Sequence, residues 1–423
     1  MNEKRYDRLG ETLYTQRLSN GLQILVVRKP GFTKKMAYFV TDFGSVHTDF
    51  QLEGTHVQAP AGIAHFLEHK MFELPGRDVS AEFAAMGANV NAFTSYDMTA
   101  YFFSCTDYFR ENLRLLLEFV STPWFPAESV QRELGIIDQE IGMNADSPDT
   151  RVFENLMEQM YRKHPIRVPI LGTRESLRSI TPELLHACHR AFYTPENMVL
   201  CVVGDVEPEA VEELALEVLG SHRNEPGEKL RQWQEDMTCE EMPCIQQMDV
   251  AMPMFQLGMK CPWTGKGRAA IRQEVIGDLA AEALFGESSP LYNRLYGQGL
   301  IDSSFGGGYE TVDGCALLTC GGDSENPEAV RQAILEQAQV LREQGLEEAA
   351  LLRMKRSALG RRLRDLDSFD STCFRLCAYY LSEYDYFDFP ELYGDITAQE
   401  VVDFIEKTVR RDNCALSVIN PLA

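Results

Sequence analysis

Apolar and polar positions set out two kinds of element along the chain. "GLQILVVRKP" from Gly21, "MAYFVTDFGS" from Met36 and "TAYFFSCT" from Thr99 are short apolar or alternating runs bounded by turn residues, and they predict strands. "RENLRLLLEFV" and "AVEELALEVLG" repeat their apolar positions three and four apart, which predicts helices. Strands gather at the start and helices follow, a pattern of an α+β fold rather than a doubly wound sheet. "IQQMDVAMPMFQLGMKCPW", from Ile245, opens a second set and reads as a strand. Gly306, Gly307 and Gly308 read as a loop or strand bend, since no Lys-bearing helix follows to make a phosphate cradle.

Two distant segments share one pattern. "ITPELLHACHRAFYTPENMVLCVVGDV" starts at Ile180 and "ITAQEVVDFIEKTVRRDNCALSVINPL" at Ile396. Each opens with Ile-Thr, runs through an amphipathic helix and reaches an Asn, Asn197 or Asn413, before an apolar strand. No gap interrupts the match, and its spacing is close to half the chain. A duplicated domain explains this better than a short-period solenoid. The expected organisation is two homologous α/β-sandwich halves, residues 1–220 and 242–423. The polar stretch 221–241 between them reads as a linker able to serve as a hinge.

Composition narrows the function. The chain has 423 residues, with 44% hydrophobic and 25% charged, enough for two cores. A formal net charge of −24 argues against a nucleic-acid partner, whose phosphates need Lys and Arg patches. The first residues, "MNEKRYDRLGETLYTQRLSNG", lack the apolar core of a signal peptide, and no run of about eighteen apolar residues suggests a membrane span. Eleven cysteines without framework spacing suit reduced thiols, so the expected location is cytoplasmic. Cys373 and Cys377 lie four apart, but no further Cys or His nearby in sequence completes a metal site.

The candidate chemistry lies in "AGIAHFLEHKMFE", Ala61 to Glu73. On a helix His65 and His69 share a face, with Glu68 beside them. Two imidazoles can then hold one zinc ion, and Glu68 can serve as a base toward a water acidified by the metal. The order is H-x-x-E-H, the inverse of the common zinc helix. Surrounding Ile63, Ala64, Phe66, Leu67 and Met71 make a solvated polar patch a poor explanation. A third protein ligand is wanted. Downstream, "AESVQRELGIIDQEIGMNADSPDTRVF" predicts a helix from after Pro126 to about Met143. It places Glu133 and Glu140 two turns apart, on a face shared with Ile136 and Ile137. One can close the site and the other can hold a ligand from behind.

These residues resemble the M16 metallopeptidases, the family of insulinase, pitrilysin and the mitochondrial processing peptidase. The likeness is strongest from Gly62 to Asp205. "NVNAFTSYDMTAYFF" is similar to the strand with which members pair with substrate backbone, and "HPIRVPILGTRESLRSITPELL" resembles the segment closing the first half. The resemblance implies a zinc-dependent endopeptidase of two homologous α+β halves. Carried over, His65, His69 and Glu140 bind Zn2+, Glu68 is the general base and Glu133 an acid just behind the site. Backbone on Asn91, Ala92, Phe93 and Thr94 receives a peptide substrate.

One departure qualifies the likeness. Members carry an Arg and a Tyr, seven apart around a Gly-Leu pair, in the second half. In "SSPLYNRLYGQGLIDSSFGGGYE", alignment on Gly299 and Leu300 puts Asp302 where Tyr is expected, and Arg294 is off by one. The repeat spacing carries His65, Glu68 and His69 onto Ala281, Leu284 and Phe285, so the second half lacks a zinc set. The resemblance therefore implies the zinc-bearing subunit of a heterodimer, with a paralogous subunit supplying the Arg-Tyr pair, or else a homodimer. The alternative is a non-catalytic assembly or processing subunit that keeps the fold. The intact His65, Glu68, His69, Glu133 and Glu140 favour the enzyme.

Overall fold

A computed structural model describes residues 1–222, 225–230 and 233–422. The chain divides into two compact units. The first is built on a seven-stranded sheet ordered Asn2–Tyr6, Glu11–Arg17, Gln23–Arg28, Met198–Gly204, Lys35–Thr41, Thr99–Cys105, Asn89–Thr94. Only Gln23–Arg28 and Met198–Gly204 run parallel; the other neighbours are antiparallel. Met198–Gly204 is buried at every position, as a central strand covered on both faces must be.

Side chains alternate between two covered faces along these strands. Toward one face, Tyr101 meets Phe72 and Phe119, the latter in the helix Phe109–Ser121. Toward the other, Tyr38 stacks on Phe102 with ring centroids 4.5 Å apart. Here Tyr38 donates to Asp370 at 2.6 Å, and Phe93 meets Phe374 at 5.9 Å, both partners lying in the helix Phe369–Leu381.

The second unit has a five-stranded sheet ordered Cys244–Met248, Cys414–Pro421, Met254–Cys261, Cys315–Asp323, Gly306–Val312. Only the first pair is parallel. The helices Pro148–Met160, Arg268–Phe285 and Ala398–Thr408 pack on it. The first approaches so closely that a Cβ on Gly258 would lie 2.3 Å from Met160 Sδ, so a larger residue there would require the Met160 side chain to shift.

Several expectations change in detail. The segment from Ile245 is two strands, Cys244–Met248 and Met254–Cys261, interrupted near Pro253. Gly306 to Gly308 begin an edge strand rather than a loop. The compact units do not follow 1–220 and 242–423. The first comprises 1–139, 169–231 and 362–387, and the second 140–168, 232–361 and 388–423. Each sheet thus takes a 13-residue helix from the opposite half of the chain, Phe369–Leu381 or Pro148–Met160. The two helices are themselves alike: Ser368 and Ser147 each cap the first turn by accepting a backbone N–H. Coverage of a sheet face follows surface fit, to which chain order is indifferent.

Of the expected linker 221–241, residues 223, 224, 231 and 232 lie outside the described residues. Much of the remainder is docked. Glu228 and Lys229 pair with Gln51 and Phe50 as a strand, in the first unit. Glu235, in the second, accepts the backbone N–H groups of Arg162, Lys163 and His164.

The repeat is preserved in structure. Pro182–Phe192 and Ala398–Thr408 are both helices, followed by one 3-10 turn, Pro195–Asn197 or Arg411–Asn413, and by the strand Met198–Gly204 or Cys414–Pro421. Asn197 donates to Phe192 O at 2.9 Å, and Asn413 to Lys260 O at 3.0 Å, so each Asn pins its strand entry to backbone.

Candidate functional site

The helix Ile63–Met71 begins at Gly62, whose φ is 90°. A Cβ there would lie 2.4 Å from Leu171 O, so both backbone and space demand glycine. The helix is buried along nearly its whole length, and it takes His65 and Glu68 inside with it. Their exposures are only 7% and 8%, so both polar groups need partners.

The two imidazoles face one another, with ring centroids 4.5 Å apart. The helix Ala127–Ala145 runs past them. From it Glu133 Oε1 lies 2.9 Å from His69 Nδ1. Seven residues on, Glu140 presents its carboxylate to the same place. One donor atom from each of His65, His69 and Glu140 lies within 4.8 Å of the others. The first unit reaches Gln139 inside this continuous helix, and the helix itself carries Glu140. Among the described residues this is the one group of three or more His, Cys, Asp or Glu gathered tightly enough for a metal ion.

The donor set fits zinc: two imidazole nitrogens and one carboxylate oxygen are a set found in zinc hydrolases, and they leave a coordination position open. With His69 Nδ1 engaged by Glu133, its Nε2 is the nitrogen left to bind metal. Burial, with His69 adding to it, pushes the His65 pKa down to about 3. His65 is therefore neutral near pH 7, the form that ligates.

Glu68 stands outside the donor group. Its Oε2 accepts a hydrogen bond from Thr94 Oγ1 at 2.7 Å. Thr94 is the last residue of the edge strand Asn89–Thr94, which pairs on one side with Thr99–Cys105. Among the described residues its other side carries no strand, leaving the backbone of Asn91, Ala92 and Phe93 at a sheet edge. Close by, the Tyr101 and Tyr193 hydroxyls lie 2.8 Å apart. Burial raises the pKa of both; for Tyr101 the Tyr193 hydroxyl adds next and the charge of Glu68 last, while for Tyr193 the bond with Tyr101 opposes the rise and Glu68 adds to it.

Every candidate read from the sequence thus lies on one of three neighbouring elements. One refinement concerns the helix Ala127–Ala145. Ile137 is buried, but Ile136 is 54% exposed, so the two are split by the 100° step between helical neighbours. The side chain of Thr94 was read only as part of a substrate strand; its hydroxyl contact with Glu68 was not anticipated. Threonine gives no local signal for a partner 26 residues away.

In the second half, Ala281, Leu284 and Phe285 are buried in the helix Arg268–Phe285, so these positions carry apolar side chains in place of His65, Glu68 and His69. Asp302 accepts from Ser304 N at 2.7 Å and from its hydroxyl, a local turn. Arg294 lies on the helix Pro290–Gly297.

The chain is similar to known proteins in family and fold. Residues 55–174 match the family model for insulinase (peptidase family M16), and residues 179–358 match the peptidase M16 inactive domain. The chain is 36% identical over 422 residues to YmfH of Bacillus subtilis, described as an uncharacterized zinc protease, with 98% of each chain covered. A crystal structure described as M16-like peptidase from Alicyclobacillus acidocaldarius is 33% identical, with a TM-score of 0.94 over 97% of this chain and 99% of that one. A protease from Helicobacter pylori, at 20% identity, shares the fold with a TM-score of 0.83 over 97% of this chain and 99% of its own.

Proposed function

Since the chain belongs to the M16 peptidase family, we propose that it is a zinc-dependent endopeptidase acting on short or unfolded peptides. The observation that carries the proposal is the cluster of His65, His69 and Glu140 with Glu68 held just outside it. His65, His69 and Glu140 would hold the zinc. Bound there, zinc supplies Lewis acidity, which brings the pKa of water to roughly 7 and polarises a carbonyl.

The remaining work belongs to side chains and backbone of this protein. The substrate joins the sheet as an extra strand along Asn91, Ala92, Phe93 and Thr94, which recognises backbone rather than sequence. Glu68 takes a proton from the attacking water on its carboxylate and returns it to the leaving amine. Thr94 Oγ1, donating to Glu68 Oε2, holds that carboxylate in place. Glu133 orients the His69 ring through Nδ1. Buried Phe66, Leu67 and Tyr101 line the back of the helix and strand and limit water there.

The departures in the second half bear on assembly. Asp302 is tied up in its own turn, and no Tyr stands at its position. We infer that a paralogous subunit supplies an Arg-Tyr pair, with a homodimer as the other arrangement. No helix among the described residues is long and apolar enough to cross a membrane. A reducing cytoplasm suits cysteines that are mostly buried thiols.

The test compares the purified chain with Glu68→Gln, measuring metal content and cleavage of quenched fluorescent peptides, with and without a paralogue. Wild type should hold about one zinc and cleave once the paralogue is present. The variant should keep zinc and lose about 10²–10⁴-fold in rate, the usual contribution of a general base. Cleavage appearing only with the paralogue would support the heterodimer, and full activity of the lone chain would exclude it. A wild-type chain without bound zinc would overturn the proposal.

A further inference from the structure

Beside the candidate metal ligands lies a polar cluster that the proposed reaction does not use. Lys70, next to His69 in sequence, is 1% exposed, a rare state for a lysine. Its Nζ donates to Glu73 and to the hydroxyl of Ser129, and that hydroxyl donates to Glu73 in turn. Arg132 reaches the other oxygen of Glu73 at 3.0 Å. Ser129 is 2% exposed. A cation placed there loses its water, and only an arrangement that satisfies it from all sides keeps it in place.

The placement of this cluster matters more than its existence. Ser129 and Glu133 are one turn apart on the helix Ala127–Ala145, and Lys70 and His69 are consecutive on the helix Ile63–Met71. Lys70 grips Ser129 while His69 meets Glu133. Ser129, Glu133 and Glu140 fall on one stripe of their helix, because eleven residues make about three turns. Two grips on that stripe fix both the rotation and the axial position of the helix. Glu140, two turns beyond the second grip, inherits that setting.

We propose that Lys70, through Glu73 and Ser129, is a positioning residue that sets the helix Ala127–Ala145 in the register delivering Glu140 to His65 and His69. The role in catalysis rests on the zinc-peptidase reading; the anchoring of the helix does not. A purely apolar contact would hold the two helices together but permit sliding and rotation, since hydrophobic contact is non-directional. A lysine bound to a carboxylate and a hydroxyl accepts few geometries. Displacement of a ligand by about 1 Å is enough to cost on the order of 10²-fold in rate.

The experiment uses the full chain carrying Lys70→Met, together with the double variant Lys70→Met/Glu73→Gln. The double variant also removes the carboxylate that the single one leaves without its lysine, so it serves where the single variant fails to fold. Three quantities are read: zinc affinity by chelator competition, amide hydrogen exchange of residues 127–145 in the metal-free protein, and kcat and KM where cleavage is measurable. The expected result is zinc binding weaker by about 10–100-fold, as for other groups supporting metal ligands. Exchange should rise in residues 127–145 and not in the seven-stranded sheet, and kcat should fall with KM little changed. Exchange rising throughout the first unit at unchanged zinc affinity would make Lys70 merely structural and overturn the proposal. Wild-type affinity and wild-type exchange in a folded variant would overturn it as well. If wild type binds no zinc, the peptidase reading fails and the role in ligand delivery with it, while hydrogen exchange still decides the anchoring.

Discussion

At the scale of single residues, the site depends on which polar groups are carried inside. His65 and Glu68 face inward because they share a buried helix with Ile63, Phe66 and Leu67. For His65 the consequence is a pKa pushed down to about 3 by burial, with His69 adding to the effect. The unfolded chain protonates this imidazole near pH 6.5 and the folded metal-free protein does not. Between about pH 6.5 and 3 the unfolded state therefore binds more protons. This contribution to stability is fully present above 6.5 and declines as the pH falls through that window. NMR of the metal-free protein should find the His65 ring neutral from pH 8 down to 5; titration near 6.5 would contradict the burial argument. The trio His65, Glu68 and His69 was legible in the sequence because helical spacing is a local rule. Thr94 on Glu68, and Lys70 on Ser129, were not, because those contacts join residues 26 and 59 apart.

At the scale of elements, short-range signals carried much of the information. The helix holding the histidines starts where Gly62 adopts a positive φ against Leu171 O. Gly62→Ala should destabilise the first unit by at least the roughly 1–2 kcal/mol that a left-handed conformation costs an L-residue. Chemical denaturation would read this, and zinc affinity should drop alongside. The repeated helices make a second prediction. Thr181 and Thr397 cap them by accepting from Leu184 N and Glu400 N, and the Glu400 carboxylate in turn accepts from Thr397 N. Replacement of either threonine by Ala should cost about 1 kcal/mol, with the larger loss at Thr397, where the cap is reciprocal. Equal or negligible losses in denaturant melts would refute that ranking. Boundaries that depend on tertiary surroundings were less legible. The run from Ile245 breaks into two strands near Pro253, and Gly306–Val312 is a strand despite its three glycines, because Cys315–Asp323 pairs with it throughout.

At the scale of the whole molecule, the chain is a duplication whose halves exchange a helix. Fragment 1–220 lacks Phe369–Leu381, which covers Tyr38 and encloses the fully buried Cys373 and Cys377. Expressed alone, it should expose that sheet face, bind an apolar dye and unfold without a cooperative transition. Coexpression with 242–423, which supplies Phe369–Leu381 and receives Pro148–Met160 from 1–220, should restore cooperative unfolding. A fragment 1–220 that melts cooperatively would show that the exchanged helix is dispensable. What the sequence determined by itself was whatever local spacing encodes: strand and helix types, the duplication, the pair of histidines one turn apart and the carboxylate beside them. Only tertiary structure decided which helix covers which sheet, how far Glu140 reaches, and which hydroxyl and lysine hold the site together. Those depend on surfaces brought together by burial, and burial selects partners by shape and polarity, with no memory of their distance along the chain.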